Sequence, residues 1–145
     1  FDLHNTNFLG IDGGGQLSGG YDIIRMQSDL SFKEVDFESM SGIEAIRFGQ
    51  NNQTLTLTLE NIFNLLKSSD TGDFKIDSSL SGSVLNIADA GSTQAVVSFG
   101  AVNDALNNFG AGSTNMGIGG GYNHFKIGGH DLYIDTDITV NLVQA

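Results

Sequence analysis

The chain has no cysteine, no proline and no tryptophan, and only six of its 145 residues are basic. Without cysteine there is neither a disulfide framework nor a thiolate metal site, so the sequence carries no mark of a redox compartment. Without proline, no slow prolyl isomerisation stands between the unfolded and folded chain. Without tryptophan, and with only Tyr21, Tyr122 and Tyr133 as tyrosines, a carbohydrate-binding module has little from which to build an aromatic shelf. No apolar run approaches the roughly 20 residues of a membrane-spanning helix, and the opening FDLHNTN lacks the basic-then-apolar order of a secretory leader. Six basic residues against seventeen acidic ones give a formal charge of −11 and a pI near 4.2. Such a surface repels phosphate backbones and anionic lipid, which excludes nucleic acid and membrane insertion as partner classes.

Catalytic patterns are also missing. There is no G-x-S-x-G nucleophile elbow and no Gly-Lys-Ser/Thr phosphate loop. Glu34, Asp36, Glu38, Glu44 and Glu60 supply carboxylates, yet nothing in the sequence sets two of them at the separation a glycosidase needs. The sequence reads as a non-enzyme.

Twenty glycines, many in pairs and triplets, and a 39% hydrophobic fraction with ten phenylalanines are what the chain does have. They predict a real core crossed by many tight turns. Thr54-Leu55-Thr56-Leu57-Thr58-Leu59 alternates with period two, the pattern of a strand with one face buried. Leu59, Ile62, Phe63, Leu65 and Leu66 then recur at helical spacing, with Lys67 near the carbonyl end of the dipole. The run 68–73 (SSDTGD) reads as a turn, and Phe74-Lys75-Ile76-Asp77 returns to alternation. Further short strands are expected within 31–48, 83–87, 95–99, 125–127 and 131–142. A second helix is expected in 97–109, with Val102, Ala105, Leu106 and Phe109 on one face. The glycine-rich run 110–121 reads as a loop. The expected fold is a single mainly β domain over 1–145: a β-roll, β-solenoid-like stack or sandwich of short strands with one or two short helices.

Two acidic loops, 12–22 and 70–77, suggest calcium, which takes six to eight oxygens from carboxylates and exposed carbonyls. The candidate ligands are Asp12, Asp22, Asp70 and Asp73. The same residues are equally the makings of metal-free Asx turns and a solubilising surface. His124 and His130, six residues apart and so on one face if they share a strand, would combine with Asp131 into an incomplete zinc set. Gly19-Gly20-Tyr21 and Gly120-Gly121-Tyr122, each followed by a mixed run, form an internal echo that suggests two coils of one stack.

The run Leu17-Ser18-Gly19-Gly20-Tyr21-Asp22-Ile23-Ile24-Arg25 matches the nonapeptide GGxGxDxUx at Gly20, Asp22 and Ile24, with Leu17 and Ser18 in place of its first two glycines. Here the chain resembles the repeats-in-toxin (RTX) proteins, whose repeats build a calcium-binding parallel β-roll. The stretch 41–77 (SGIEAIRFGQNNQTLTLTLENIFNLLKSSDTGDFKID) and the tail 121–140 are similar to segments near the C-terminal end of type I-secreted bacterial adhesins. The resemblance implies a non-catalytic, calcium-responsive structural module, extracellular or at the cell surface. By it, 1–79 is an RTX-like coil region, and 80–145 a cap whose end faces the type I secretion machinery. A start at Phe1 rather than Met fits a processed or excised piece. The alternatives are a surface-layer or filament subunit associating through strand edges, for which the run 131–142 offers itself, and a carbohydrate-binding module.

Overall fold

The computed structural model describes residues 2–3, 11–12, 22–31, 40–69, 71–110 and 112–144. The glycine-rich loop 13–21, His4, Asp70 and the side chain of Asp12 lie outside the described residues. In chain order the elements are β1 (Asp2–Leu3), β2 (Ile11–Asp12), β3 (Ile23–Met26), β4 (Leu30–Ser31), β5 (Met40–Ser41), β6 (Ala45–Phe48), β7 (Thr54–Thr58), α1 (Leu59–Ser68), β8 (Asp73–Asp77), β9 (Val84–Ala88), α2 (Phe99–Asn108), β10 (Ser113–Gly119), β11 (Tyr122–Ile127), β12 (His130–Asp135) and β13 (Thr139–Leu142).

The domain is mainly β, with mixed and parallel sheets and two short helices, as the spacing of its short strands predicts. A seven-stranded sheet has the order β1-β3-β6-β8-β12-β11-β10, a four-stranded sheet the order β13-β9-β7-β4, and β2 pairs with β5. In the large sheet the strands from β1 to β12 are parallel, and only β11 and β10 run against their neighbours. All pairings in the four-stranded sheet are parallel. From β3 onward the chain passes from the large sheet to the smaller one and back: β3 to β4, β6 to β7, β8 to β9, β12 to β13.

Register makes the core. Ile24 pairs with Ile46, Ile46 with Ile76 and Ile76 with Ile134, so four fully buried isoleucines form one row across four parallel strands. The smaller sheet repeats the device, with Leu30, Leu55, Leu85 and Val140 in one row and Leu57, Ile87 and Leu142 in the next. The inward residues of both sheets join those of both helices in one cluster.

Helix α1 begins where β7 ends because Thr58 serves both. Its hydroxyl accepts from the Asn61 amide at 3.0 Å while the Asn61 side chain accepts from the Thr58 amide at 2.9 Å, a reciprocal cap. Leu59, Ile62, Leu65 and Leu66 are buried on its inner face, and Val102, Ala105 and Leu106 do the same for α2. Among the described residues no helix is long and apolar enough to cross a membrane.

Four expectations are corrected. Residues 113–119 are not loop but strand β10, because a hairpin organises them: Gly120 and Gly121 take φ of +62° and +84° and join β10 to β11 by a two-residue turn of the primed kind. Residues 95–99 do not form a strand; Val96 turns to φ +50° and Phe99 opens α2. The run 131–142 is two strands in two sheets, and neither is a free edge: β12 lies between β8 and β11, and β13 is bonded by Gln94 and Val97 on its far side. The GGY echo is no repeat of one coil, since β3 runs parallel to β6, β8 and β12 while β11 runs antiparallel to β12.

Ile76 sits within the isoleucine row, and truncation there leaves a void between two fixed neighbours. Ile76→Ala is expected to cost about 2–5 kcal/mol, read as a lower urea midpoint with an unchanged m-value.

Candidate functional site

The strands β8 and β12 carry the same short word: Asp73-Phe74-Lys75-Ile76-Asp77 and Asp131-Leu132-Tyr133-Ile134-Asp135. Parallel pairing sets these words in register, Asp131 on Asp73, Leu132 on Phe74, Tyr133 on Lys75 and Ile134 on Ile76. Period-two alternation buries Phe74, Ile76, Leu132 and Ile134 and turns the remaining residues to the outer face. β11 adds Tyr122, His124 and Lys126 beside Asp135, Tyr133 and Asp131. An acidic and aromatic patch results, three rows deep and three strands wide.

In the central row the rings of His124 and Tyr133 stack at 4.5 Å, and Tyr122 meets Tyr133 edge-on at 6.0 Å. The Lys75 ammonium stands 5.4 Å from the Tyr122 ring centre and 5.7 Å from that of Tyr133, within cation–π range of both.

The rows on either side are acidic and differ in how their charge is handled. In one, His124 Nε2 lies 2.6 Å from Asp131 Oδ1 and Lys126 Nζ 3.6 Å from the same oxygen. The hydrogen bond with His124, helped by Lys126, holds the Asp131 carboxyl below its ordinary range. Burial and the neighbouring Asp131 carboxylate push Asp73 up, against the weaker pull of Lys75 and His124. In the other row the Tyr122 hydroxyl donates to Asp77 at 2.8 Å and Arg47 Nε donates to Asp77 at 2.9 Å. Burial raises Asp77, but the bonds from Tyr122 and Arg47 outweigh it and leave the carboxyl lowered. Burial also raises Asp135, against the amides of Asp137 and Ser78 that donate to it, and the Asp77 charge adds to the rise. Burial, then the bond to Asp77, pushes the Tyr122 phenol up to about 12.

Of the four predicted calcium ligands, Asp22 and Asp73 have described side chains, and the fold does not bring them together. Asp22 immediately precedes β3, two places from β8 in the sheet, about 10 Å at the usual strand spacing. Its amide donates to the fully buried Glu44 carboxylate at 2.8 Å, and its carbonyl accepts from the Glu44 amide at 3.0 Å. Asp12 lies in β2, in the separate two-stranded sheet. Among the described residues no three His, Asp or Glu side chains group so as to hold a metal ion. His124 and His130 do not share a strand; they sit on β11 and β12, and alternation along β12 places His130 and Asp131 on opposite faces. Only His124 meets Asp131.

The sequence reading found Asp73 and missed Lys75, Asp77, Tyr122, Asp131, Tyr133 and Asp135 as a group. The signal was the shared word D-apolar-x-I-D in two segments, which pairing turns into rows. Away from the patch, a cleft of about 340 Å³ along one face of α1 and past the C-terminal end of α2 is lined by Glu60, Phe63, Asn64, Lys67, Phe109 and Gly110, with the Phe63 and Phe109 rings stacked at 5.3 Å. Compared with protein-family models, curated proteins and solved structures, the chain has no match.

An acid whose folded pKa is raised penalises the fold above that pKa and not below its unfolded value. Asp73→Asn is therefore expected to stabilise the domain by roughly 0.5–1 kcal/mol at neutral pH in chelator. The gain should vanish near pH 3, below the ordinary Asp value of 3.8. Urea unfolding at the two pH values checks this. Removing one cause of the Tyr122 shift has its own readout: Asp77→Asn should lower the phenol's titration midpoint from about 12, followed by ultraviolet absorbance of tyrosinate.

Proposed function

We propose that the chain is a non-catalytic structural module, a β-solenoid-like stack of coils belonging to a type I-secreted, extracellular adhesin-like protein, and that it responds to calcium. The observation that carries the structural part is a shared offset. Ala45 pairs with Lys75 in the large sheet and Thr54 with Val84 in the smaller one, a step of 30 residues in both. The other steps run 22 against 25 residues and 58 against 55, so the two sheets advance nearly together, as strands laid down by successive turns of one winding would. The rows support the same reading, because like residues fall on like: isoleucine on isoleucine inside, Arg25 on Arg47 outside, and Asn86 on Asn141, where the Asn141 amide donates to the Asn86 side chain at 3.0 Å. Repeats that cannot bury a face alone gain a core by stacking. The placement outside the cell, next to the secretion machinery, rests on the resemblance of 17–25, 41–77 and 121–140.

Calcium enters through Asp73. Its carboxylate lies against that of Asp131, a like-charge pair directly opposite across two strands, which destabilises a sheet unless a cation relieves it. In the turn before it, the Ser69 hydroxyl donates to the Asp73 carbonyl at 2.6 Å.

A thermal melt in millimolar calcium and again in chelator tests the proposal. A site at a hundredfold its dissociation constant adds about 2.7 kcal/mol, several degrees for a domain of this size. An upward shift that Asp73→Asn abolishes is expected. Coincident melts would remove calcium from the account and leave the stacked module, whose own test is rapid refolding from urea without a slow prolyl phase.

A further inference from the structure

Strand β10 ends the seven-stranded sheet; the Asn107 side chain of α2 ties off its first residue, accepting from the Ser113 amide at 2.6 Å and donating to the Ser113 carbonyl at 2.9 Å, and among the described residues no strand pairs with 114–119 on the far side. Residues 114–119 are all exposed, and the stretch Thr114-Asn115-Met116-Gly117-Ile118-Gly119 holds no charge in a chain of net charge −11. Open edges of this kind are normally blunted by charge, proline, a bulge or a covering segment, and of these β10 has only a bulge between Asn115 and Gly117 and the cap on Ser113. The smaller sheet shows such a cover. Along β13, Gln94 and Leu142 exchange amide–carbonyl bonds at 2.9 and 2.8 Å, the Val97 amide donates to the Val140 carbonyl at 2.9 Å, and the Val96 amide donates to the Asn141 side chain at 2.7 Å. Holding that segment in place keeps Val96, a β-branched residue, at φ +50°, a conformation strained for such a side chain. The chain thus carries strain to cover the β13 edge and gives residues 114–119 of β10 no such cover.

We propose that β10 is a self-association edge, at which two copies of the chain pair antiparallel about a twofold axis and join their large sheets into one. A partner for an open edge is a strand, because the groups to be satisfied are backbone amides and carbonyls. A second copy fits because an isologous contact sets each residue against one from the same stretch. On β10 that means uncharged against uncharged, whereas a twofold contact through the patch on β8 and β12 would oppose Asp73, Asp77, Asp131 and Asp135 to themselves. Met116 and Ile118, 53% and 73% exposed, become covered by their counterparts. The Gly117 amide is already held by the Asn115 side chain at 3.0 Å, so the incoming strand bonds to the groups on either side of it. The edge is about 20 Å long at the usual rise. An interface of that length falls below about 1,200 Å², the range of weak complexes, so half-association is expected at roughly tens to hundreds of micromolar. The inference stands apart from the calcium reading.

Sedimentation equilibrium of the 145-residue chain from low micromolar to near-millimolar concentration is the test. The expected result is a monomer–dimer equilibrium that stops at two copies. Ile118→Lys and Ile118→Glu replace a side chain already in solvent, so circular dichroism should be unchanged, and each should weaken association at least tenfold by setting like charges across the axis. Met116→Lys repeats the test at a second position, and Gln50→Glu, far along the chain, is the control expected to leave association unchanged. A monomer at every concentration overturns the proposal, as do variants at 116 and 118 that dimerise with the wild-type constant. An open-ended series of larger species would also overturn it, because it requires a head-to-tail contact instead of a twofold one.

Discussion

Parallel pairing in register is the constraint on which the rest of the structure depends. Because side chains alternate along a strand with period two, a slip of one residue between β6 and β8 would turn Ile76 outward and bury Lys75 and Asp77. The isoleucine row across β3, β6, β8 and β12 fixes that register from inside, and the pairs Asp2–Arg25 and Arg47–Asp77 agree with it from outside, at 2.9 Å each. The exposed pair adds little stability. Its value lies in agreeing with the same alignment as the core, so that wrong alignments lose on both faces at once.

The acidic and aromatic patch follows from this alignment. Nothing brings Asp73 to Asp131 except the pairing of β8 with β12, and nothing brings the Tyr122 hydroxyl to Asp77, 45 residues away, except the β11–β12 hairpin laid beside them. The sheet therefore sets the electrostatics: the partners of Asp77 and Asp131 outweigh burial and lower them, while for Asp73 and Asp135 burial and the neighbouring carboxylate outweigh the groups that favour their charge.

What was legible in the sequence was local. The alternation of 54–58 and the helical spacing of Leu59, Ile62, Leu65 and Leu66 report their surroundings directly, and both elements form where they are read. Three of the four residues read onto the inner face of α2, Val102, Ala105 and Leu106, are buried there, while Phe109 caps the helix and is exposed. Strand β10 was not, because its glycines argue for a loop until the partner strand and the turn at Gly120 and Gly121 are known. The rows were not legible either: a stack of isoleucines at 24, 46, 76 and 134 has no fixed period, and only the fold supplies the alignment. Of the four aspartates read as ligands, Asp22 and Asp73 have described side chains, and the sequence could not say that they stand two strands apart in one sheet.

The β10–β11 hairpin has a consequence for growth. A winding of parallel coils can in principle lengthen at either end, each new coil laying one more strand along the last. Beyond β12 the place for that strand in the large sheet is taken by β11, which runs the other way. The parallel run of the large sheet therefore ends at β12 on this side, and the hairpin gives the sheet two unlike ends.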